Sequence, residues 1–321
     1  MLVFVCETVT AGGFIGQDLP QGLIAEGMLM RDALIGDLED LPGVSVLTTH
    51  DARLPPPPRG HSTPLEAGDD PHETWDALAR QAHCCWPIAP ETDGILERFV
   101  ATLRTHNRRV IAPDLQTLRD CSSKTRTAEI LTAAGVRAVP TWRVDEIPED
   151  QAGPFVVKPD DGAGALGVLV FSDRPQMHLP EQTIIQPYVE GMPASLSLLC
   201  QSGRTHVLAA NRQNIGRTAD RLSFRGVSVG ALPIDDTLRA LADRVGAAFP
   251  GLHGIVGMDY IVTETGPVVV EVNPRLTTSY AGLRQALGIN PLAFVAELIR
   301  DGAVPDLPRL PPTVSVEVIA R

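Results

Sequence analysis

The chain opens on an unbroken apolar run, Leu2-Val-Phe-Val-Cys6, the length of a strand covered on both faces. Residues 22–38 place Leu23, Ile24, Met28, Leu34 and Ile35 at helical spacing, and 44–47 return to a strand pattern. Between Arg53 and Asp70 lies Leu54-Pro-Pro-Pro-Pro-Arg-Gly-His61, too rich in proline for either regular structure. We expect a surface excursion there, with His50, His61 and His72 in or beside it and solvated. A helix near 72–83, an apolar run over 84–88, a helix near 93–107 and a short strand over 109–112 follow. Strands alternating with helices predict a parallel α/β lobe ending near Pro113.

The pattern then changes. One helix, 122–134, stops at Gly135, and 141–144 reads as a short strand. Residues 155–158 and 166–171 form a strand pair joined by Asp, Gly and Ala. From Gln186 strands dominate, over 194–200, 207–212, 224–231, 257–263 and 267–273, with helices at 237–248 and 291–300. An α+β body is therefore expected after the α/β lobe, with no internal repeat.

A chain of 321 residues suggests two or three lobes. Its 39 acidic and 27 basic residues leave a net charge of −12, which disfavours a phosphate backbone as partner. The apolar stretches fall far short of a membrane span and Met1 leads straight into a strand, so we expect neither export nor insertion but a cytoplasmic protein. The five cysteines are odd in number and form no CxxC pair, which fits reduced core thiols, including the adjacent Cys84 and Cys85.

Two segments carry chemistry. Gly162-Ala-Gly164-Ala-Leu-Gly167 has the GxGxxG spacing, but it feeds the strand-like Val168-Leu-Val-Phe171 rather than a helix. That excludes a dinucleotide fingerprint, and the absence of GK[ST] excludes a P-loop. A glycine hairpin still offers backbone N–H groups to phosphate oxygens, and Lys158 at the end of the preceding strand points the same way; a mobile hairpin with a surface lysine is the other reading. The second segment runs from Met258 to Arg275. Folding it about Thr265 pairs Thr263 with Pro267, Ile261 with Val269 and Asp259 with Glu271, with Asn273 on the same face and Val268, Val270 and Val272 buried behind. Opposed carboxylates repel on an apolar sheet, and a divalent cation removes that cost. Oxygen-only donors favour Mg²⁺ or Mn²⁺. An edge hairpin with a solvated acidic face is the alternative. Arg275 would meet a developing oxyanion or a substrate carboxylate.

The order of these features resembles the ATP-grasp superfamily. Lys124 opens a helix, Phe-Val-Val-Lys158-Pro precedes the glycine flap, and Ile-Ile-Gln186-Pro187-Tyr188-Val189-Glu190-Gly191 looks like its adenine hinge. Asp259 and Glu271-Val-Asn273-Pro-Arg275 look like its metal set. The resemblance implies an N-terminal parallel α/β lobe (1–112), a small central lobe carrying the flap (113–185) and a C-terminal antiparallel-sheet lobe (186–321). It further implies that Lys124, Lys158 and the flap (Gly162, Gly164, Gly167) hold the phosphates of ATP, that Gln186–Glu190 line the adenine and ribose, and that Asp259, Glu271 and Asn273 bind two Mg²⁺ ions. Lys158 and Arg275 would be catalytic, and a carboxylate would be phosphorylated and then attacked by an amine, releasing ADP.

Where relatives often carry an acid for the ribose, this chain has Pro193, so Glu190 or a backbone group would serve. D-alanine ligases place an arginine where Gly257 stands, which weakens that likeness. The first lobe, with Val5-Cys-Glu7-Thr-Val-Thr-Ala-Gly12-Gly13, Leu-Ile-Ala-Glu26-Gly and Trp86-Pro-Ile-Ala-Pro90-Glu91-Thr-Asp93, is similar to the tyramine–glutamate ligases of methanofuran biosynthesis. That likeness implies joining glutamate to tyramine or, in a methylofuran pathway, tyrosine, with Arg212, Arg225 or Arg275 on a substrate carboxylate. Glu7 and Glu91 would be either amine partners or structural strand-end acids. Another amino-acid or peptide ligase of the superfamily, or an ATP-binding module without turnover, are the other readings; the γ or α carboxylate, and a homodimer, stay open.

Overall fold

The structure is a computed structural model describing residues 1–162, 164, 167–175, 179–293, 296–303, 310 and 312–320. Its first lobe runs β1 (Leu2–Glu7), α1 (Gln21–Glu39), β2 (Ser45–Asp51), β3 (His61–Leu65), α2 (Pro71–Gln81), β4 (Cys84–Ile88) and α3 (Ile95–His106). The strands form a parallel sheet in the order β3-β2-β1-β4. All five cysteines are free and buried.

The proline-rich stretch is not wholly irregular: β3 lies inside it, with Leu47 opposite His61 and Asp51 opposite Leu65. A sheet edge tolerates Pro64, because only one side of the strand must supply hydrogen bonds. Consequently His50, on the inner strand β2, is buried rather than solvated, and its Nδ1 lies 2.7 Å from Ser62 Oγ. The expected strand over 109–112 shrinks to a single bridge between Val110 and Cys85, just before Pro113.

The helix expected over 122–134 is two helices. α4 (Leu115–Ser122) is capped by Asp114, whose carboxylate accepts from Thr117 N at 2.8 Å, and α5 (Lys124–Ala133) restarts after the extended Ser123, which caps it through Arg126 N. No strand forms over 141–144. Trp142 makes one bridge with Ile185, and the chain then curls into a short turn as the Glu146 carboxylate accepts from Arg143 N.

The rest is built around a second sheet: β5 (Phe155–Pro159), β6 (Leu169–Phe171), β7 (Thr183–Pro187), β8 (Met192–Gln201), β9 (Arg204–Thr218), β10 (Arg221–Leu232), α6 (Asp236–Ala248), β11 (Gly254–Thr263), β12 (Gly266–Asn273), α7 (Tyr280–Leu287), α8 (Ala296–Asp301) and β13 (Val316–Ile319). These strands pair with one another antiparallel, in the order β12-β11-β8-β9-β10-β6-β5-β7 with β13 also on β10, and a lone parallel bridge joins Ala138 to Val269 of β12. Leu166 lies outside the described residues, and β6 starts at Leu169. The helix expected over 291–300 divides into a turn at Pro291–Ala293 and α8; residues 294–295 lie outside the described part.

Helix α1 is apolar on more than one side because it packs against both lobes. Met30, Leu34, Ile35 and Leu38 share one core with Val3 and Val5 of β1 and with Tyr280 and Leu283 of α7. Where the lobes meet, the buried Asp37 of α1 accepts from Tyr280 Oη at 2.8 Å and from Arg284 Nη1 at 3.1 Å. Tyr280→Phe leaves that carboxylate short of one donor in a buried site, and we expect a loss of about 1–3 kcal/mol. In urea the unfolding midpoint should fall with an unchanged slope; an unmoved midpoint would show that the bond contributes nothing. Among the described residues no helix is long and apolar enough to cross a membrane.

Candidate active site

The hairpin β11–β12 brings Asp259 opposite Glu271, with Asn273 two residues on. It does so by a route different from the one expected. The turn holds two residues, so Thr263 pairs with Gly266 (φ 107°), Val262 with Pro267 and Ile261 with Val268, one step off the anticipated register. A bulge between Asp259 and Tyr260 absorbs the extra residue on β12 and restores the pairing from Asp259–Glu271 onward. Val270 is the displaced residue: it is not buried behind the sheet but lines the same cavity as Glu271.

That cavity holds about 430 Å³ and is walled by both lobes. The two carboxylates sit deep in it, and the pair titrates unequally. Burial first, and then the Glu271 opposite, push the Asp259 carboxyl up to about 7, with a hydrogen bond from Gln213 working against the rise. Burial would raise Glu271 too, but Lys124 and then Lys158 outweigh it and hold that carboxyl below the ordinary range. Lys124 Nζ stands 3.4 Å from Glu271 Oε2. Lys158, 8% exposed, is pushed down to about 8 by burial, while Glu271 pulls it back up and Lys124 adds to the fall.

Both lysines belong to one rigid assembly with the base of the glycine loop. Lys158 ends a strand paired with both β6 and β7, so the loop is a hairpin connection and not a strand-to-helix turn. Lys124 Nζ donates to Gly162 O at 2.7 Å. Asp160 caps α5 from the loop side: its carboxylate accepts from Ser123 Oγ at 2.6 Å and from Thr125 N at 2.9 Å. At the opposite end of the cavity Gln186, Pro187, Tyr188 and Val189 line a wall completed by Ile215, Leu222 and Phe224. Gln186 is fixed there by donating to Thr141 Oγ1 at 2.8 Å.

Arg275 lines the cavity with its guanidinium held by Glu91 of the first lobe, Nε lying 3.0 Å from Oε1. Burial opposes its charge, yet Glu91 and then Glu26 keep it firmly protonated.

Several anticipated residues are not brought to this cavity. Glu7 is buried among its own loop, accepting from Thr10 N and Thr10 Oγ1, each at 2.8 Å, and a Cβ on Gly27 would stand 2.6 Å from its Oε2. It is a strand-end acid closing a turn beneath α1. Arg212 and Arg225 are exposed and do not line the cavity. On β9 the cavity-facing positions are Gln213, Ile215 and Arg217, and Arg212 has the opposite parity; Arg225 neighbours the cavity-lining Phe224 on β10 and likewise faces away. Gly167 and Glu190 are exposed and outside the lining, whereas Gly162 and Gly164 belong to it.

Sequence reasoning gave no site role to Gln213, Arg217, the row Thr277-Thr278-Ser279 or Glu26, though Glu26 stood in a motif of the family likeness, and all of them line the cavity. Arg217 lies over the Tyr188 ring at 5.6 Å from its centroid. The row directly follows Arg275 and was findable; Glu26 arrives from a distant helix and was not.

Two carboxylates and an amide are an all-oxygen set, suited to Mg²⁺ or Mn²⁺, and the raised Asp259 carboxyl marks a charge pair that a cation would relieve. Among the described residues no three His, Cys, Asp or Glu side chains cluster as metal ligands. The set therefore fits a cation that completes its shell with ligand oxygens.

Comparison with known proteins gives this geometry a class. Residues 121–279 match the ATP-grasp domain family, and residues 44–117 match the pre-ATP-grasp domain family. A solved ATP-grasp superfamily protein from Archaeoglobus fulgidus superposes with a TM-score of 0.73 over 99% of each chain at 20% identity. An L-amino acid ligase from Bacillus licheniformis does so with a TM-score of 0.62, over 94% of this chain and 74% of its own, at 16% identity. Residues 121–279 are thus an ATP-grasp domain preceded by a pre-ATP-grasp domain, and the chain has the ATP-grasp fold, with a parallel α/β lobe ahead of a large antiparallel sheet. The chain is also similar to the tyramine–L-glutamate ligases of Methanocaldococcus jannaschii (34% identity over 105 residues, 32% of each chain) and Methanocaldococcus fervens (32% over 131 residues, 40% of each). These matches span less than half the length of those relatives.

Proposed function

We propose that the protein is a cytoplasmic, ATP-dependent carboxylate–amine ligase that releases ADP and phosphate. The observation that carries this reading is the meeting, in one cavity, of an opposed acid pair, two buried lysines and an arginine locked by Glu91. ATP lies with its adenine against Gln186–Val189 and its phosphates toward Lys124, Lys158 and the Gly162–Gly164 backbone. Asp259, Glu271 and Asn273 would hold Mg²⁺, which when bound would supply positive charge against the phosphates.

A carboxylate oxygen attacks the γ-phosphorus, the bond to the β–γ bridging oxygen breaks, and ADP leaves with that electron pair. Lys158 and Lys124 stay with the phosphates, and positioning replaces a bimolecular encounter. Arg275 steadies the charge that develops on the acyl oxygen, and Glu91 positions Arg275. The amine nitrogen then attacks the acyl carbon, the C–O bond to phosphate breaks, and phosphate departs with its electrons. An amine that enters as its ammonium gives up two protons over the step, one to the departing phosphate and one to solvent. From the names of the relatives we take glutamate and tyramine as first substrates; the γ-carboxylate as acyl donor is what the family likeness implies.

The test is ADP release with Mg²⁺, ATP, glutamate and a panel of amines. ADP stimulated by an amine is the expected result. ADP release that no amine stimulates would leave a nucleotide-binding module, and AMP as product would exclude the acyl phosphate.

A further inference from the structure

Among the described residues three acids line the cavity: Asp259 and Glu271 on the hairpin, and Glu26, which reaches it from α1 of the other lobe. Glu26 sits between the glycine loop and the chain that follows Arg275. Its Oε2 accepts from Thr278 Oγ1 at 2.6 Å, and the chain that carries Thr278 follows directly from Arg275. Its Oε1 accepts no hydrogen bond from a described residue, and lies 3.6 Å from where a Cβ on the loop glycine Gly164 would stand.

Neither role open to a structural acid explains this carboxylate. As a counter-ion to Arg275 it is secondary, since Glu91 already holds that guanidinium at 3.0 Å. A tether between lobes would need one oxygen, and Thr278 occupies one; the second is left toward the cavity. Burial raises its pKa, and Thr278 and then Arg275 hold it down. Lys124, Lys158, Arg217 and Arg275 make the rest of the lining rich in fixed cations. A primary alkylamine carries a proton at neutral pH, with a pKa of about 10 by analogy with lysine. An ammonium could not dwell among those cations without an anion of its own, because close like charges each cost on the order of 1 kcal/mol or more.

We infer that Glu26 is the counter-ion that receives the amine substrate as its ammonium, and so sets the enzyme's preference for a charged primary amine at the Arg275 end of the cavity. This rests on the ligase reading for the identity of the incoming group, but binding tests it without turnover. The probe is tyramine, titrated calorimetrically into the full chain saturated with Mg²⁺ and a non-hydrolysable ATP analogue. Wild type should bind tyramine at least about tenfold more tightly than its neutral alcohol isostere, 4-(2-hydroxyethyl)phenol, the order expected for losing a charge-assisted hydrogen bond. Glu26→Gln should erase that preference, and Glu26→Asp should keep part of it.

Equal affinity of wild type for the two compounds overturns the assignment and requires no variant to fold. So does a Glu26→Gln protein that binds tyramine as wild type does, or one whose only defect is a raised KM for glutamate, which would place Glu26 on the α-ammonium of the acyl donor. Glu26-dependent tyramine binding in a protein that forms no ADP would sink the ligase reading while the amine site stood.

Discussion

Asp259→Asn is expected to lower ADP formation by about three powers of ten while the protein melts no lower than wild type. The loss follows from removing the negative charge of one of the oxygen donors that would hold the cation beside the transferred phosphate, where several kcal/mol of charge stabilisation are at stake, and each 1.4 kcal/mol is about tenfold in rate. The undiminished melting temperature follows from the cost of the native pair. Two carboxylates face each other deep in the cavity, and burial together with Glu271 lifts the Asp259 carboxyl to about 7. That lies above the unfolded value near 3.9. The folded state therefore holds this proton more tightly than the unfolded one, so the group's contribution is complete below about pH 4 and is lost as pH climbs through 7.

Two results should follow. Without metal, wild type should lose stability relative to Asp259→Asn as pH rises from 5 to 8. Mg²⁺ with nucleotide should raise the melting temperature of wild type more at pH 8 than at pH 6. Differential scanning fluorimetry at both pH values decides it, and a metal-induced shift that is the same at both, or unchanged in Asp259→Asn, would count against this placement of the ion.

Arg275→Met should damage both catalysis and folding, and the two losses should be separable. Removing a donor aimed at developing negative charge costs on the order of 10²–10³ in kcat. The same change strands Glu91, which is 5% exposed, without its cation, and breaking a buried pair from one side costs about 3–5 kcal/mol. Adding Glu91→Gln to Arg275→Met should return most of the stability and none of the rate. Urea unfolding and steady-state ADP assays on the two single variants and the double variant measure both. Additive stability losses in the double variant would mean that the pair is not coupled.

How far the sequence could be read is best seen at the hairpin and at the cavity's far end. Asp259 and Glu271 were placed opposite one another from spacing alone, but the reasoning assumed a three-residue turn and a regular ladder. The true turn is one residue shorter, and a bulge one step before the acids makes up the difference. Alternation along a strand is a local property and was legible; a bulge depends on what the neighbouring strand and cavity require, and was not. The same limit hid β3, because proline content says nothing of whether a segment will find a sheet edge. At Glu7 the sequence left two roles open, an amine partner or a structural strand-end acid, and the structure takes the second, since this carboxylate is consumed by Thr10. Arg212 and Arg225 fell to parity, which fixes a side chain's face only once the strand is anchored by a neighbour of known orientation. Glu26 stood in plain view on a helix, and nothing local distinguishes a helix acid that meets solvent from one that meets a second lobe.

The short turn and the bulge of β11–β12 together impose a rule on how this ribbon can change length. At constant length each offsets the other by one residue, so the acids keep their common side only if both irregularities are present or both are absent. A chain of the same length that loses the bulge and keeps the two-residue tip sets Asp259 opposite Val270 and sends Glu271 to the opposite side. Descendants of this sequence can therefore shed the bulge without parting the acids by deleting Val270 or by widening the tip by one residue, whereas losing the bulge alone parts them.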